Sequence, residues 1–98
     1  MSNDIKFDWD EIKAAANKKK HGVTFEEAVT VFYDENALEF HDPDHSKEED
    51  RFILVGLSFK VRALIVCYCA RESDSVIRIF SARKATKRET ERYWEEQS

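Results

Sequence analysis

Three groups of residues carry side chains able to hold or move charge. They are Lys13, Asn17, Lys20 and His21, recurring at i, i+4, i+7 and i+8; Arg51; and the run Arg78, Ser81, Arg83 and Lys84. Cations and hydroxyls of this kind suit a phosphate. Cleaving an RNA phosphodiester with its own 2′-hydroxyl needs a base for that hydroxyl, an acid for the leaving 5′-oxygen and cations against the charge of the phosphorane. Lys, Arg, His and Tyr can fill these roles without a metal or cofactor, and none is expected here. Each position also has a structural alternative. His21 closes a run of basic residues at a helix end, where positive charge complements the macrodipole, although its ordinary pKa near 6.5 also permits proton transfer. Arg78, between Ile77 and Ile79, either faces an open surface or pairs with Glu39 or another sheet acid. Arg83 and Lys84 either bind phosphate or are solvated before a helix start, and Tyr93 either packs or donates a proton.

Other chemistries find little support. The chain has no Gly-rich phosphate loop, GxSxG elbow or HExxH pair. Asp42, Asp44, Glu48, Glu49 and Asp50 form an acidic loop that reads as solvated rather than as a metal site. Cys67 and Cys69 are two apart in a strand-like run, so they share a face as buried free thiols. The net charge of −4 is split: residues 1–50 hold six Lys against fourteen Asp or Glu, whereas residues 51–98 hold ten basic and six acidic residues. Any electrostatic footprint for a polyanion therefore lies in the second half.

These side chains need a scaffold, and 98 residues with 42% hydrophobic content suffice for a single domain over residues 1–98. The longest apolar run, Ala63 to Ala70, is far short of the roughly 20 residues that span a bilayer, and the start MSNDIKFDWD lacks a signal pattern. A cytoplasmic protein without membrane contact is expected. Ile5 to Phe7 suggests a short strand, and Asp8 or Asp10 caps a helix that runs to about Lys20 and stops at Gly22, with Trp9, Ile12 and Ala16 on its apolar face. Thr24 and Glu27 form a capping box for a second helix, with Phe25, Ala28, Val29 and Phe32 inward and Glu26 and Glu27 outward. The two helices are expected to pair as a hairpin.

From Ala37 onward the period becomes two. Strands are expected at Leu38–His41, Arg51–Leu57, Lys60–Arg71 and Ser75–Ser81, joined by turns at Gly56–Phe59 and Glu72–Ser75. Val61, Ala63, Ile65 and Cys67 fall on one face of the third, and Leu64, Val66 and Tyr68 on the other, which predicts a central strand. In the fourth, Ile77 and Ile79 face the core, with Arg78 and Phe80 opposite. Thr86 and Glu89 cap a last helix for which only Ala85, Tyr93 and Trp94 offer apolar area, so weak anchoring is expected. The fold class is α+β: a helical hairpin, an antiparallel four-stranded meander and a C-terminal helix, in two layers.

Three stretches together resemble the BrnT toxin family. They are Phe7 to Ala28, with its K-x-x-x-N-x-x-K-H-G-V-x-F-E-E-A string; D-P-D-H-S before the acidic loop and Arg51; and R-I-F-S-A-R-K-A-T-K-R-E from Arg78, followed by Tyr93. The resemblance implies a RelE-like fold and a type II toxin neutralised by a BrnA-type antitoxin with a ribbon-helix-helix DNA-binding segment. DNA would be met only through that complex, which represses its own promoter. Carried over by residue, the family's basic positions fall on Lys13, Lys20, His21, Arg51, Arg78, Arg83 and Lys84. The expected activity is metal-independent endoribonuclease cleavage of mRNA. Arg78 and Arg83 would stabilise the phosphate, Lys20 or His21 would act as base, and Lys13, Arg51, Ser81 and Lys84 would bind substrate. Two rival readings stand beside it: a catalytically silent partner-binding module, favoured by the acidic first half, and single-strand binding by Phe80 and Arg78 without cleavage.

Overall fold

The computed structural model describes residues 4–71 and 75–97. The elements are β1 (Lys6–Asp8), α1 (Glu11–His21), α2 (Phe25–Val31), β2 (Leu38–His41), a 3-10 turn (Pro43–His45), β3 (Arg51–Leu57), β4 (Ala63–Arg71), β5 (Val76–Lys84) and α3 (Lys87–Glu95). The sheet is five-stranded, in the order β1-β5-β4-β3-β2. β2 to β5 form the antiparallel meander, and β1 adds a parallel edge, pairing Phe7 with Ile77 and Asp8 with Arg78. The expected four-stranded antiparallel sheet is therefore a mixed sheet of five. No local signal could pair Phe7 with a strand at the other end of the chain. Of the expected Glu72–Ser75 turn, residues 72–74 lie outside the described residues. No helix among the described residues is long and apolar enough to cross a membrane.

Asp10 accepts from the N–H groups of Ile12 and Lys13 at 2.8 and 3.1 Å and so starts α1; Gly22, with φ 69°, ends it by donating to the Lys18 carbonyl. Of the expected apolar face only Trp9, which precedes α1, packs on the core, against Phe25; Ile12 and Ala16 are exposed. Ile12 is 82% exposed, whereas Asn17 is buried and Ala14 packs on the core. The reason is one side chain: Asn17 donates to the carbonyls of Val23 (2.9 Å) and Ala82 (2.8 Å) and accepts from the Ala82 N–H (3.1 Å), so the polar stripe is what docks α1 beside β5. Both helices consequently pack on the sheet, α1 along β5 and α2 across β3, β4 and β5, rather than on each other as the expected hairpin.

Phe25, Ala28 and Val31 of α2 bury themselves with Leu54, Leu64, Val66, Ile77, Ile79 and Ala82 on one sheet face. Val55 and Ile65 point to the other face, where Tyr93 of α3 covers them, which makes three layers instead of two. α3 is better anchored than its sparse apolar content suggests: Tyr93 is 1% exposed, and its hydroxyl donates to Asp34 at 2.6 Å. Asp34 follows α2 and also accepts from the Leu57 N–H. This crossing needs Gly56, since a Cβ there would meet Ala37, Asp34 and Val31 atoms at 3.0 Å.

Two further expectations fail locally. Val61 is not in a strand but in the 58–62 turn, at φ 58° and 78% exposed. Glu27 neither faces water nor closes the capping box. It is 1% exposed and accepts from Arg62 and Ser58, so only the Thr24 half of the box forms.

Candidate active site

The decisive local feature is a bulge in β5. Cys67 pairs with Ser81 and Tyr68 with Ile79, which leaves Phe80 without a ladder partner between them. Strict alternation from Ile77 and Ile79 would send Ser81 and Arg83 into the core. The extra residue shifts the phase, so Ala82 enters the core instead, and Arg78, Phe80, Ser81 and Arg83 share the face that carries α3. The registers then define rows across that face: Arg51, Cys69, Arg78, Asp8; next Ile53, Cys67, Ser81; then Val55, Ile65, Arg83. The last row lies under α3. The rows before it form a basic patch centred on Phe80.

Around that ring, the Arg51 guanidinium carbon sits 3.9 Å and the Lys13 Nζ 5.9 Å from the centroid. Arg78 pairs with Asp8 at 2.9 Å, not with Glu39, which accepts from the Tyr68 hydroxyl on the opposite face. Arg83 reaches into α3 and makes a two-pronged contact with Glu89 at 2.8 and 3.0 Å. The Arg83 hydrogen bonds, with help from the Thr86 N–H, hold the Glu89 carboxyl down to about 2, and Glu89 in turn raises the Arg83 pKa. Among the described residues Arg51 and Lys13 have no carboxylate within ion-pair distance, and the Arg51 Nε is buried with no hydrogen-bond partner.

Arg51, Arg78, Ser81 and Arg83 thus share one sheet face, with Lys13 of α1 reaching its Phe80 ring and Arg83 in the row under α3. Lys20, His21 and Lys84 stand apart. Because Lys13 meets Phe80 and Asn17 meets Ala82, α1 runs alongside β5 toward its end, and Lys20 and His21 lie two helical turns beyond Lys13, at the end where exposed Lys84 closes the strand. Tyr93 belongs to packing: burial and its bond to Asp34 push the hydroxyl up to about 12. In the acidic loop, Asp42 contacts His45 at 2.8 Å, Asp50 contacts His41 at 3.3 Å and Glu49 pairs with Arg71 at 3.1 Å. No three potential metal ligands converge among the described residues.

Sequence reasoning missed the carboxylates Asp8 and Glu89 as partners and left Asn17 without its docking role. One signal was readable: small or apolar residues at Ile77, Ile79 and Ala82 break a period of two by one step, which is the mark of a bulge at Phe80. Chemically, the patch offers guanidinium and ammonium donors to a phosphate, a hydroxyl at Ser81 and an aromatic ring between them.

Residues 9–89 match the family model described as the ribonuclease toxin, BrnT, of type II toxin-antitoxin systems. The 1.1 Å crystal structure of the Brucella abortus ribonuclease toxin BrnT is similar in fold, with a TM-score of 0.65 at 22% identity, over 85% of this chain and 99% of that one. No curated protein sequence matches the chain.

Proposed function

The chain belongs to the BrnT family of ribonuclease toxins of type II toxin-antitoxin systems, and from that premise we propose that it cuts mRNA without a metal, arrests growth in the cytoplasm and is neutralised by a BrnA-type ribbon-helix-helix antitoxin. DNA is met through that complex alone. The observation that carries this reading is the placement of Arg51, Arg78, Phe80, Ser81 and Arg83 on one sheet face, with Arg51 and, from α1, Lys13 against the Phe80 ring.

In this proposal Arg78 and Arg83 take the scissile phosphate. Asp8 and Glu89 hold the two guanidiniums in place, and a guanidinium has five N–H donors, so each retains hydrogens for phosphate oxygens. Arg51, Lys13 and Ser81 bind the flanking backbone, and Lys84 with Lys20 and His21 continues the path along the α1–β5 seam. The base for the 2′-hydroxyl is Lys20 or His21 only if the RNA bends along that seam. Single-turnover cleavage by His21→Gln and Lys20→Gln separates the two: the variant that loses the chemical step identifies the base.

A second reading has its own observation. Arg78 and Arg83 are each already neutralised by a carboxylate, as a silent module binding only its antitoxin would tolerate. Induced expression of wild type and Arg83→Ala in a bacterium lacking the antitoxin, with growth and RNA integrity followed together, tests the choice. The ribonuclease reading predicts arrest and fragmented RNA for wild type alone; intact RNA and normal growth with folded protein present favour the silent module.

A further inference from the structure

We propose that Phe80 is a positioning residue that holds Arg51 over the site as its free phosphate-binding guanidinium; the inference deepens the ribonuclease reading and rests on it. Arg51 belongs to β3 and Phe80 to β5, with β4 between them. Neighbouring strands are about 4.8 Å apart, so the Arg51 side chain must cross a whole strand to lay its guanidinium 3.9 Å from the Phe80 ring centre. The residues that β4 presents beneath this path, Cys67 and Cys69, are small, and Cys69 is fully buried.

The crossing leaves the Arg51 Nε buried without a hydrogen-bond partner, an uncommon state for a polar atom. Nothing polar holds that nitrogen, so the ring face is the contact that fixes the head. Arg78 and Arg83 are steered by Asp8 and Glu89, whereas Arg51 is steered by an uncharged ring and, although it lines a pocket with Asp44, Glu48 and Glu49, forms no ion pair among the described residues. Lys13 approaches the same ring at 5.9 Å, so Phe80 gathers the two cations of the patch that lack a carboxylate partner among the described residues. A phenyl ring moves no proton, so the role is placement. The bulge makes it possible, because it is at Phe80 that the strand changes phase.

The test uses the full chain with Phe80→Leu, Phe80→Trp, Arg51→Gln and the Phe80→Leu/Arg51→Gln double variant, each checked by thermal melting. Affinity for a short single-stranded RNA is measured against salt, where each lost phosphate contact lowers the log–log slope by about 0.7. Phe80→Leu and Arg51→Gln should each lower it by about that amount, the double variant should lower it no further, and Phe80→Trp should restore it. In cleavage assays KM should rise severalfold with a smaller change in kcat. Independently of RNA, the Arg51 Nε–H proton should lose its ring-current shift in Phe80→Leu and keep one in Phe80→Trp. Additive losses in the double variant, a wild-type slope in Phe80→Leu, or an Arg51 resonance indifferent to position 80 would each overturn the proposal. If the wild type neither binds nor cuts RNA, the ribonuclease reading falls, and the Arg51 resonance still decides whether Phe80 places that head.

Discussion

Thr24-Phe25-Glu26-Glu27 and Thr86-Lys87-Arg88-Glu89 open two helices with the same capping spacing, yet the two glutamates end in different environments. Glu27 turns away from its helix end and is 1% exposed, taking hydrogen bonds from Arg62 at 2.6 and 2.8 Å and from Ser58 at 2.6 Å. Glu89 closes its box, accepting from the Thr86 N–H at 2.8 Å, and meets Arg83 at the rim of the basic patch, where its side chain is 34% exposed. Burial explains the difference. The Glu27 pair locks the 58–62 turn to α2 and cannot be exchanged without leaving a charge in the core. The Glu89 pair is partly solvated and screened, so a phosphate can compete for its arginine.

The largest expected effect is on stability. Arg62→Ala strands the buried Glu27 carboxylate and should lower the unfolding free energy by about 3 kcal/mol or more, read from urea titrations, because removing the partner of a buried charge typically costs about 3–5 kcal/mol. Glu89→Ala loses a cap and a partly exposed pair and should cost about 1–2 kcal/mol. Equal losses would break the comparison.

Acid titration sharpens it. Arg62 holds the Glu27 carboxyl below its ordinary value, and Arg83 holds Glu89 down from 4.5 to about 2. A lowered folded pKa gives stability that is complete above the unfolded value and is lost as pH falls through the folded one. Stability should therefore decline from about pH 4.5 toward pH 2, and Glu89→Gln, which removes the larger shift, should flatten that decline more than Glu27→Gln. At the alkaline end the sign reverses. Tyr93, pushed from 10.0 up to about 12, keeps its proton in the folded chain, so its contribution should be complete below pH 10 and lost between 10 and 12. Tyr93→Phe should remove that limb in circular dichroism titrations. The smallest effect concerns binding: Glu89→Gln removes a negative charge at the rim of the patch while keeping an acceptor for Arg83, and should raise RNA affinity a few-fold; unchanged affinity would mean that the Glu89 charge does not act on the phosphate.

The same contrast shows what could be read in the chain. The Thr24 and Thr86 helix starts, the Gly22 stop and the central place of β4 follow from local chemistry: short capping side chains, a residue tolerant of positive φ, and apolar side chains on both faces of one run. The fate of Glu27 did not, because its partner Arg62 lies on a distant hairpin, and capping rules know nothing of what waits in the core. The strand near Ile5–Phe7 was legible, but its place in the sheet was hidden for the same reason, since its pairing with β5 joins the two ends of the chain. Ile12 stands exposed and Asn17 buried because three backbone hydrogen bonds outweighed apolar periodicity. The basic residues of the patch were visible by type. Their assembly onto one face depended on a single unpaired residue, Phe80.

The central claim is that this assembled face cleaves RNA. Purified wild type and Arg78→Ala should be incubated with mRNA in EDTA, with the ends of the fragments identified and melting curves recorded for both proteins. The account predicts that wild type leaves 2′,3′-cyclic phosphate ends and that Arg78→Ala melts like wild type but cuts at least about 10²-fold more slowly, the scale of losing one transition-state donor. Cleavage by Arg78→Ala at the wild-type rate, or no cleavage by folded wild type, would contradict it.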